Sequence, residues 1–447
     1  MHIFMESGGF HKTIREQKAG KKGGVFSICS INPSVLATAM RWGRNASPFL
    51  LIESTCNQVN QYGGYSGLTP LAFTEYIKEM AEKNAFPLER VFLGGDHLGP
   101  NPWKQESSSS AMQKAEILIR DCVEVGYRKI HLDASMACAD DAVLTKEQIA
   151  ERTVRLCQQA ELAACTHKKD QLPLYVIGTD VPAPGGLSSQ DQEAVHFSSV
   201  QEIKETIHVF QDAFERHGLQ HAWERTIAVV VSCGVEFGDR EIHFYQREKN
   251  EDLKHYIESV PGLVFEAHST DYQPRNLLRQ MVEDHFAILK VGPVLTFAYR
   301  EALFNLVSIE EEIAGLYHLE PSDLKEILMK EMMADPSHWN RHYQGSRHEI
   351  EYSLKYSFND RVRYYWGNPT VRNAVEALLH NLRTVRIPLA LISQFFPRSF
   401  ALVRDDQMDP NPDTLLQAAI THVLDDYRFA CDPNSSMIPD PPGYHQG

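Results

Sequence analysis

The sequence predicts a (β/α)8 barrel of the TIM type carrying a C-terminal helical extension, and three observations lead there. Eight short runs rich in Val, Ile, Leu and Phe recur along the first two thirds of the chain. Each is followed by polar or glycine residues and then by a longer stretch with helical spacing. Most of the runs end in an acid, a histidine or an amide. Strands alternating with helices imply a parallel sheet, and eight such units in about 300 residues fit a closed barrel better than an open doubly wound sheet.

In order, the runs are residues 24–29, 49–52, 91–95, 129–132, 174–177, 226–231, 263–267 and 287–291. The stretch 111–125 between the third and fourth shows the helical pattern, with Met112, Ala115, Ile117, Leu118, Cys122 and Val125 at roughly helical spacing. Ser30 and Asn32 follow the first strand, and Glu53, Ser54, Asn57 and Gln58 the second. The third runs into Gly94-Gly95-Asp96-His97-Leu98-Gly99-Pro100, and the fourth into Asp133 and Ser135. After the fifth come Gly178-Thr179-Asp180 and Gly185-Gly186, after the sixth Cys233-Gly234-Val235-Glu236, and after the seventh His268-Ser269-Thr270-Asp271. The eighth contains Lys290 and ends at Gly292-Pro293. In barrel enzymes the catalytic groups stand at these carboxyl ends.

Beyond about residue 305 the strand pattern stops. Glu310-Glu311-Glu312, 324–333 and 371–382 read as helical, with an aromatic stretch at Tyr352, Tyr356, Phe358, Tyr364, Tyr365 and Trp366. The expected organisation is a barrel over 1–305, a helical extension packed on it over 306–431, and an irregular proline-rich tail over 432–447. The length of 447 residues suffices for both parts, and the apolar fraction of 43% is ordinary for a globular chain. Forty-four Lys and Arg against 59 Asp and Glu leave a formal charge of -15, which argues against nucleic acid or an anionic membrane as partner. Eight cysteines without a CxxC pair, no secretory signal pattern and no apolar run near the roughly 20 residues of a membrane span point to a reduced, cytoplasmic protein.

Two histidines and several carboxylates at one barrel mouth suit a divalent cation, Zn or Mn, with positions left for substrate oxygens. The expected ligands are His97, His268 and Glu236, although a glutamate there equally suits a salt bridge and Cys233 reads as a small buried residue. A cation would polarise a carbonyl beside a breaking carbon–carbon bond. Asp96 is either the base that removes a hydroxyl proton or the group that orients His97; Asp133 and Glu236 complete the candidates for proton transfer. Glu53, Asn57, Ser269, Asp271 and Lys290 are expected to hold substrate. Lys290 also raises a Schiff-base aldolase, against the simpler role of neutralising nearby acids. Gly185-Gly186 and Ser269-Thr270 offer backbone amides to a phosphate, while no GxxxxGK[ST] or strand-following GxGxxG is present.

At these residues the chain resembles the Z-type (GatZ/KbaZ) subunit family of bacterial D-tagatose-1,6-bisphosphate aldolase. The resemblance runs from about Lys18 to about Cys431 and rests on 53–69, 94–102, 131–136, 176–186, 234–237, 266–273, 289–304, 360–366 and 387–395. It implies a barrel related to metal-dependent class II aldolases and a place in galactitol or N-acetylgalactosamine catabolism. It further implies a noncatalytic subunit supporting a catalytic Y-type partner. Some members carry the label tagatose-6-phosphate kinase. Related proteins are described as hexulose-6-phosphate 4-epimerases acting by retro-aldol cleavage and re-addition.

The class II pattern places a catalytic acid and a ligand histidine at Asp96-His97 and a later ligand at His268. It has a histidine before Gly-Val where this chain has Cys233. Either Glu236 replaces that ligand or the original aldolase site is lost. Two functions follow: an accessory subunit, or a metal-dependent epimerase or aldolase of sugar phosphates acting alone. Arg361 and Arg363 beside Tyr364 suit a substrate phosphate, a partner surface or packing of the extension; a homo-oligomer is left open.

Overall fold

The computed structural model describes residues 9–165, 171–179 and 195–435. Its strands are β1 (Val25–Ile28), β2 (Leu50–Thr55), β3 (Val91–Leu98), β4 (Lys129–Leu132), β5 (Leu174–Ile177), β6 (Thr226–Val230), β7 (Glu236–Phe237), β8 (Ile242–His243), β9 (Val264–Ala267) and β10 (Phe286–Val291). Eight of them close a barrel in the order β1-β2-β3-β4-β5-β6-β9-β10, each neighbour parallel. These are the eight runs expected from the sequence. The antiparallel hairpin β7–β8 was not foreseen; each of its strands has only two residues, too few for an alternation to register.

Side chains alternate across a strand, so every second residue points into the barrel. Toward the strands' amino ends those positions are apolar: Val25, Leu51, Phe92, Val264 and Ile288 form one buried cluster. One step further along, Ser27, Glu53, Lys129, Glu266 and Lys290 are all buried. The amino end of the barrel is filled by the helix Gly9–Lys18, whose Phe10 and Ile14 join the apolar cluster. Phe10 lies 4.9 Å from the ring of Phe92.

Helices follow the barrel strands and bury their apolar faces on the sheet's outside. Local signals set their starts: Asn32 caps Pro33–Ala46 by accepting from the Ser34 and Val35 amides, and Thr145 and Ser199 form reciprocal capping boxes. After β10 the helix Pro293–Tyr317 runs unbroken through residue 305. It is followed by Leu324–Ala334, Arg347–Tyr356, Pro369–Arg383 and two short helices. The last helix, Pro412–Cys431, returns to the barrel and packs on Pro33–Ala46, Arg275–Glu283 and Pro293–Tyr317. Tyr427 within it donates to the Thr270 carbonyl at 2.9 Å, and the Gly24 amide donates to the Cys431 carbonyl at 2.9 Å. Thus the C-terminal region completes the outer layer beside β1. Among the described residues no helix is long and apolar enough to cross a membrane.

Candidate active site

The centre of the barrel is ionic. Lys129 Nζ lies 2.9 Å from Glu53 Oε1 and 2.7 Å from Glu266 Oε2, joining three strands that are not neighbours in the sheet. Lys290 pairs with Glu53 Oε2, which also accepts from Ser27 Oγ, and stands 3.2 Å from Asp96 Oδ2. Burial opposes the charged form of Lys290, but Asp96, Cys29, Glu53 and Glu266 outweigh it and hold the ammonium well above its usual range. Lys290 is therefore held charged, the opposite of what a Schiff-base nucleophile needs.

At the upper edge of this layer Glu266 is joined by Asp96, His131 and His268. Each offers one ligand atom, and those four atoms lie within 4.8 Å of one another, all on buried residues. The local backbone makes this possible. The pairing of β3 with β4 shifts register between Gly95 and Leu98, and His97 adopts φ +47°, so the consecutive Asp96 and His97 both reach the interior. Close packing explains two of the glycines in this stretch. A Cβ on Gly94 would lie 2.6 Å from Glu53 Oε1, and one on Gly99 only 1.6 Å from the Asp133 carbonyl oxygen.

His97 stands beside the four. Its Nδ1 is 2.9 Å from Asp133 Oδ2 and its Nε2 is 3.1 Å from His268 Nδ1, while His268 Nε2 is 3.1 Å from Glu266 Oε1. The two outer carboxylates thus fix a chain of imidazoles. Burial opposes charging of both histidines; Asp96 and Asp133 overcome this at His97 and raise it, whereas His268 is pushed down to about 4. Burial likewise favours a neutral Asp96, yet Lys290, His97, His268 and His131 outweigh it and hold the carboxyl well below its usual range.

The donor set fits a divalent cation. Two imidazoles with two carboxylates are a donor set for a divalent metal ion, and His131 Nε2 is buried without a hydrogen-bond partner. The set differs from the expected one. His268 belongs to it, His97 lies beside it, and Glu236 is not part of it. Glu236 is buried in the hairpin, where its Oε1 accepts from the Phe237 amide at 3.0 Å. Cys233 is buried and pushed up to about 12 by that burial, as a structural thiol is.

A cavity of about 720 Å³ opens over the cluster. Asn57, Asp96, His97, His268, Ser269, Asp271 and Lys290 line it, whereas Glu53, Asp133, His131 and Glu266 lie behind the lining. Asp271 Oδ1 accepts from the Gly292 and Val294 amides at 3.1 and 2.8 Å, so it braces the turn into the helix Pro293–Tyr317. The helical extension also reaches the cavity through Arg363, Tyr364 and Trp366. Gly185-Gly186 and Asp180 lie outside the described residues. His131 and Glu266 precede the strand ends rather than following them, and a signal for both exists in the sequence, since each is two residues before Asp133 or His268 and so shares its inward parity.

The family model described as D-tagatose-1,6-bisphosphate aldolase subunit GatZ/KbaZ-like matches residues 10–432. The chain belongs to this family. Within the GatZ/KbaZ-like family it is similar to D-tagatose-1,6-bisphosphate aldolase subunit GatZ of Escherichia coli O1:K1 / APEC. The two are 44% identical over 419 residues, covering 94% of this chain and 99% of that relative. The GatZ subunit of Escherichia coli O139:H28 (strain E24377A / ETEC) is 43% identical over the same shares. Among solved structures, a probable tagatose 6 phosphate kinase from Sinorhizobium meliloti 1021 superposes with a TM-score of 0.83. It is 41% identical and covers 91% of this chain and 100% of that one. The GatZ-type subunit expected from the sequence and the barrel fold are thereby borne out together.

Proposed function

We propose that this chain is the Z-type subunit of a cytoplasmic tagatose-bisphosphate aldolase, working with a catalytic Y-type chain, and that its barrel mouth binds a sugar phosphate beside a divalent metal, Zn or Mn. The observation that carries the site is the convergence of Asp96, His131, Glu266 and His268 beneath the cavity. When bound there, the metal supplies Lewis-acid polarisation of a substrate carbonyl. Asp133 fixes the ring of His97, His97 fixes His268, and Lys290 offsets the charge of Asp96. Asn57, Ser269 and Asp271 line the space for the sugar, and Arg363 supplies a cation for its phosphate. Co-purified with a Y-type chain, this protein should raise and prolong cleavage of tagatose 1,6-bisphosphate. A partner equally active and equally long-lived without it overturns the reading.

The same buried donor set favours a second reading, in which the chain itself performs retro-aldol chemistry on a ketohexose 6-phosphate. Scaffolding alone does not call for ligand-type side chains under a cavity of substrate size. Interconversion of tagatose 6-phosphate and fructose 6-phosphate by the purified, metal-supplemented chain tests it, and no conversion with either metal removes it.

A further inference from the structure

The cavity wall contributed by the extension carries a phenol arranged for proton transfer. Tyr364 ends the short turn Arg361–Tyr364 and lines the same cavity as Asp96, His97, His268 and Lys290. Its oxygen accepts from Arg361 Nη1 at 2.9 Å and from Arg363 Nη2 at 3.2 Å. Its ring stacks on His338, with centroids 4.7 Å apart and planes at 10°, and meets Tyr65 edge-on at 4.7 Å. Both recorded partners of the phenol oxygen, among the described residues, are donors. The phenolic proton is therefore left for a ligand, and the ring has little freedom to turn away.

Two guanidinium groups on one phenol oxygen also stabilise the phenolate. Burial alone would raise Tyr364, but Arg363 and then Arg361 outweigh it and bring the phenol below its ordinary range. Asp96 is poorly placed for the same task, since its Oδ1 faces His131 Nδ1 at 3.0 Å and its Oδ2 faces Lys290 Nζ at 3.2 Å. A group that must collect and return a proton has to meet the ligand with its hydrogen free, and Tyr364 lines the cavity while both hydrogen bonds at its oxygen are accepted from guanidinium donors.

We propose that Tyr364 is a catalytic acid–base residue, serving the hydroxyl on the carbon that becomes an aldehyde when a ketohexose phosphate is cleaved. The proposal rests on the second reading above. In the cleavage direction the phenolate takes the hydroxyl proton, and the O–H electron pair becomes the new carbonyl π bond. The adjacent carbon–carbon bond breaks, and its electron pair passes to the fragment that carries the ketone. In the reverse direction that pair attacks the aldehyde carbon, and the aldehyde oxygen takes the proton back from Tyr364. No outside oxidant or reductant is involved. The helical extension then has a chemical role, which is to hold one proton-transfer group over a barrel that carries the rest.

The test uses the full-length protein supplied with Zn or Mn, its Tyr364→Phe variant, which removes one hydroxyl and keeps the ring, and Arg361→Met. Tyr364→Phe should lower kcat for tagatose 6-phosphate conversion by about 10²- to 10⁴-fold with KM and bound metal unchanged. The rise of kcat with pH should vanish in that variant and move to higher pH in Arg361→Met. Turnover by Tyr364→Phe at the wild-type rate, with the same pH profile, overturns the proposal. A tyrosinate absorbance titration supplies a readout independent of turnover. One phenol of the wild type should ionise ahead of the others, be absent from Tyr364→Phe, and shift when tagatose 6-phosphate is added. If the wild type shows no turnover, the second reading fails, and this titration decides the placement of Tyr364: an early phenol that responds to the sugar phosphate sustains it, and none overturns it.

Discussion

Arg300 and Asp360, 60 positions apart, meet inside the protein with Nε 3.0 Å from Oδ1, both side chains buried. Thr296 Oγ1 donates to the other Asp360 oxygen at 2.7 Å. This pair ties the helix that leaves the barrel to the turn bearing Arg363 and Tyr364. Removing one partner strands the other's charge, so Asp360→Ala should cost about 3–5 kcal/mol in urea unfolding. Changing both, as Arg300→Met with Asp360→Leu, should cost less than the two single losses added together. A single variant as stable as wild type would show that the pair does not hold the extension.

The helix Gly9–Lys18 fills the amino end of the barrel through Phe10, which is fully buried against Phe49 and Phe92. Truncating it leaves a cavity that rigid strands close poorly. Phe10→Ala should destabilise by about 3–5 kcal/mol, read as a lower denaturation midpoint at unchanged slope. The metal content should not change, because Phe10 packs in the apolar cluster at the amino end while the candidate donors belong to the polar layer and beyond it.

Strands were readable because a buried parallel barrel favours apolar runs such as Leu174–Ile177, which coincides with β5, while residues 129–132 coincide with β4 although Lys129 and His131 alternate there with Ile130 and Leu132. Asp96 and His268 were readable because they stand at strand ends. His131 and Glu266 were harder, since each sits inside a strand rather than after it and its direction depends on which parity faces inward. Arg363 and Tyr364 were hardest: only the tertiary placement of the extension brings them over the barrel, and no local periodicity encodes that. Glu236 shows the converse. A glutamate just after a strand reads as a site residue, yet the hairpin β7–β8 turns it to its own backbone.

Asp271 should give stability a pH dependence. Burial pushes its carboxyl up to about 6, although the Val294 and Gly292 amides and Arg363 oppose the rise. A carboxyl raised in the folded state binds its proton more tightly there than in the unfolded chain. Its contribution is most favourable below the unfolded value near 4 and is lost as pH rises through about 6, by about 3 kcal/mol in all. Asp271→Asn keeps an oxygen acceptor for both amides and carries no charge. Urea unfolding from pH 4 to 7 should show the wild type losing stability relative to this variant. Parallel pH profiles would mean that the two amides and Arg363 fully cancel the effect of burial, so that Asp271 ionises in the folded protein as it does in the unfolded chain.

Metal binding offers the sharpest separation between the ligand set expected from the sequence and the proposed one of Asp96, His131, Glu266 and His268. His131→Ala, Glu266→Gln and His268→Ala should each lower the Zn or Mn retained after dialysis, because each removes one of the four converging donors. Glu236→Gln should retain the wild-type amount, its oxygen being engaged with the Phe237 amide. Asp133→Asn should fall between them, with affinity reduced about 10- to 100-fold, since it disturbs His97 and through it His268. Elemental analysis beside thermal unfolding of each variant separates lost metal from lost fold. Retention by His131→Ala and loss by Glu236→Gln would return the site to the hairpin side of the barrel.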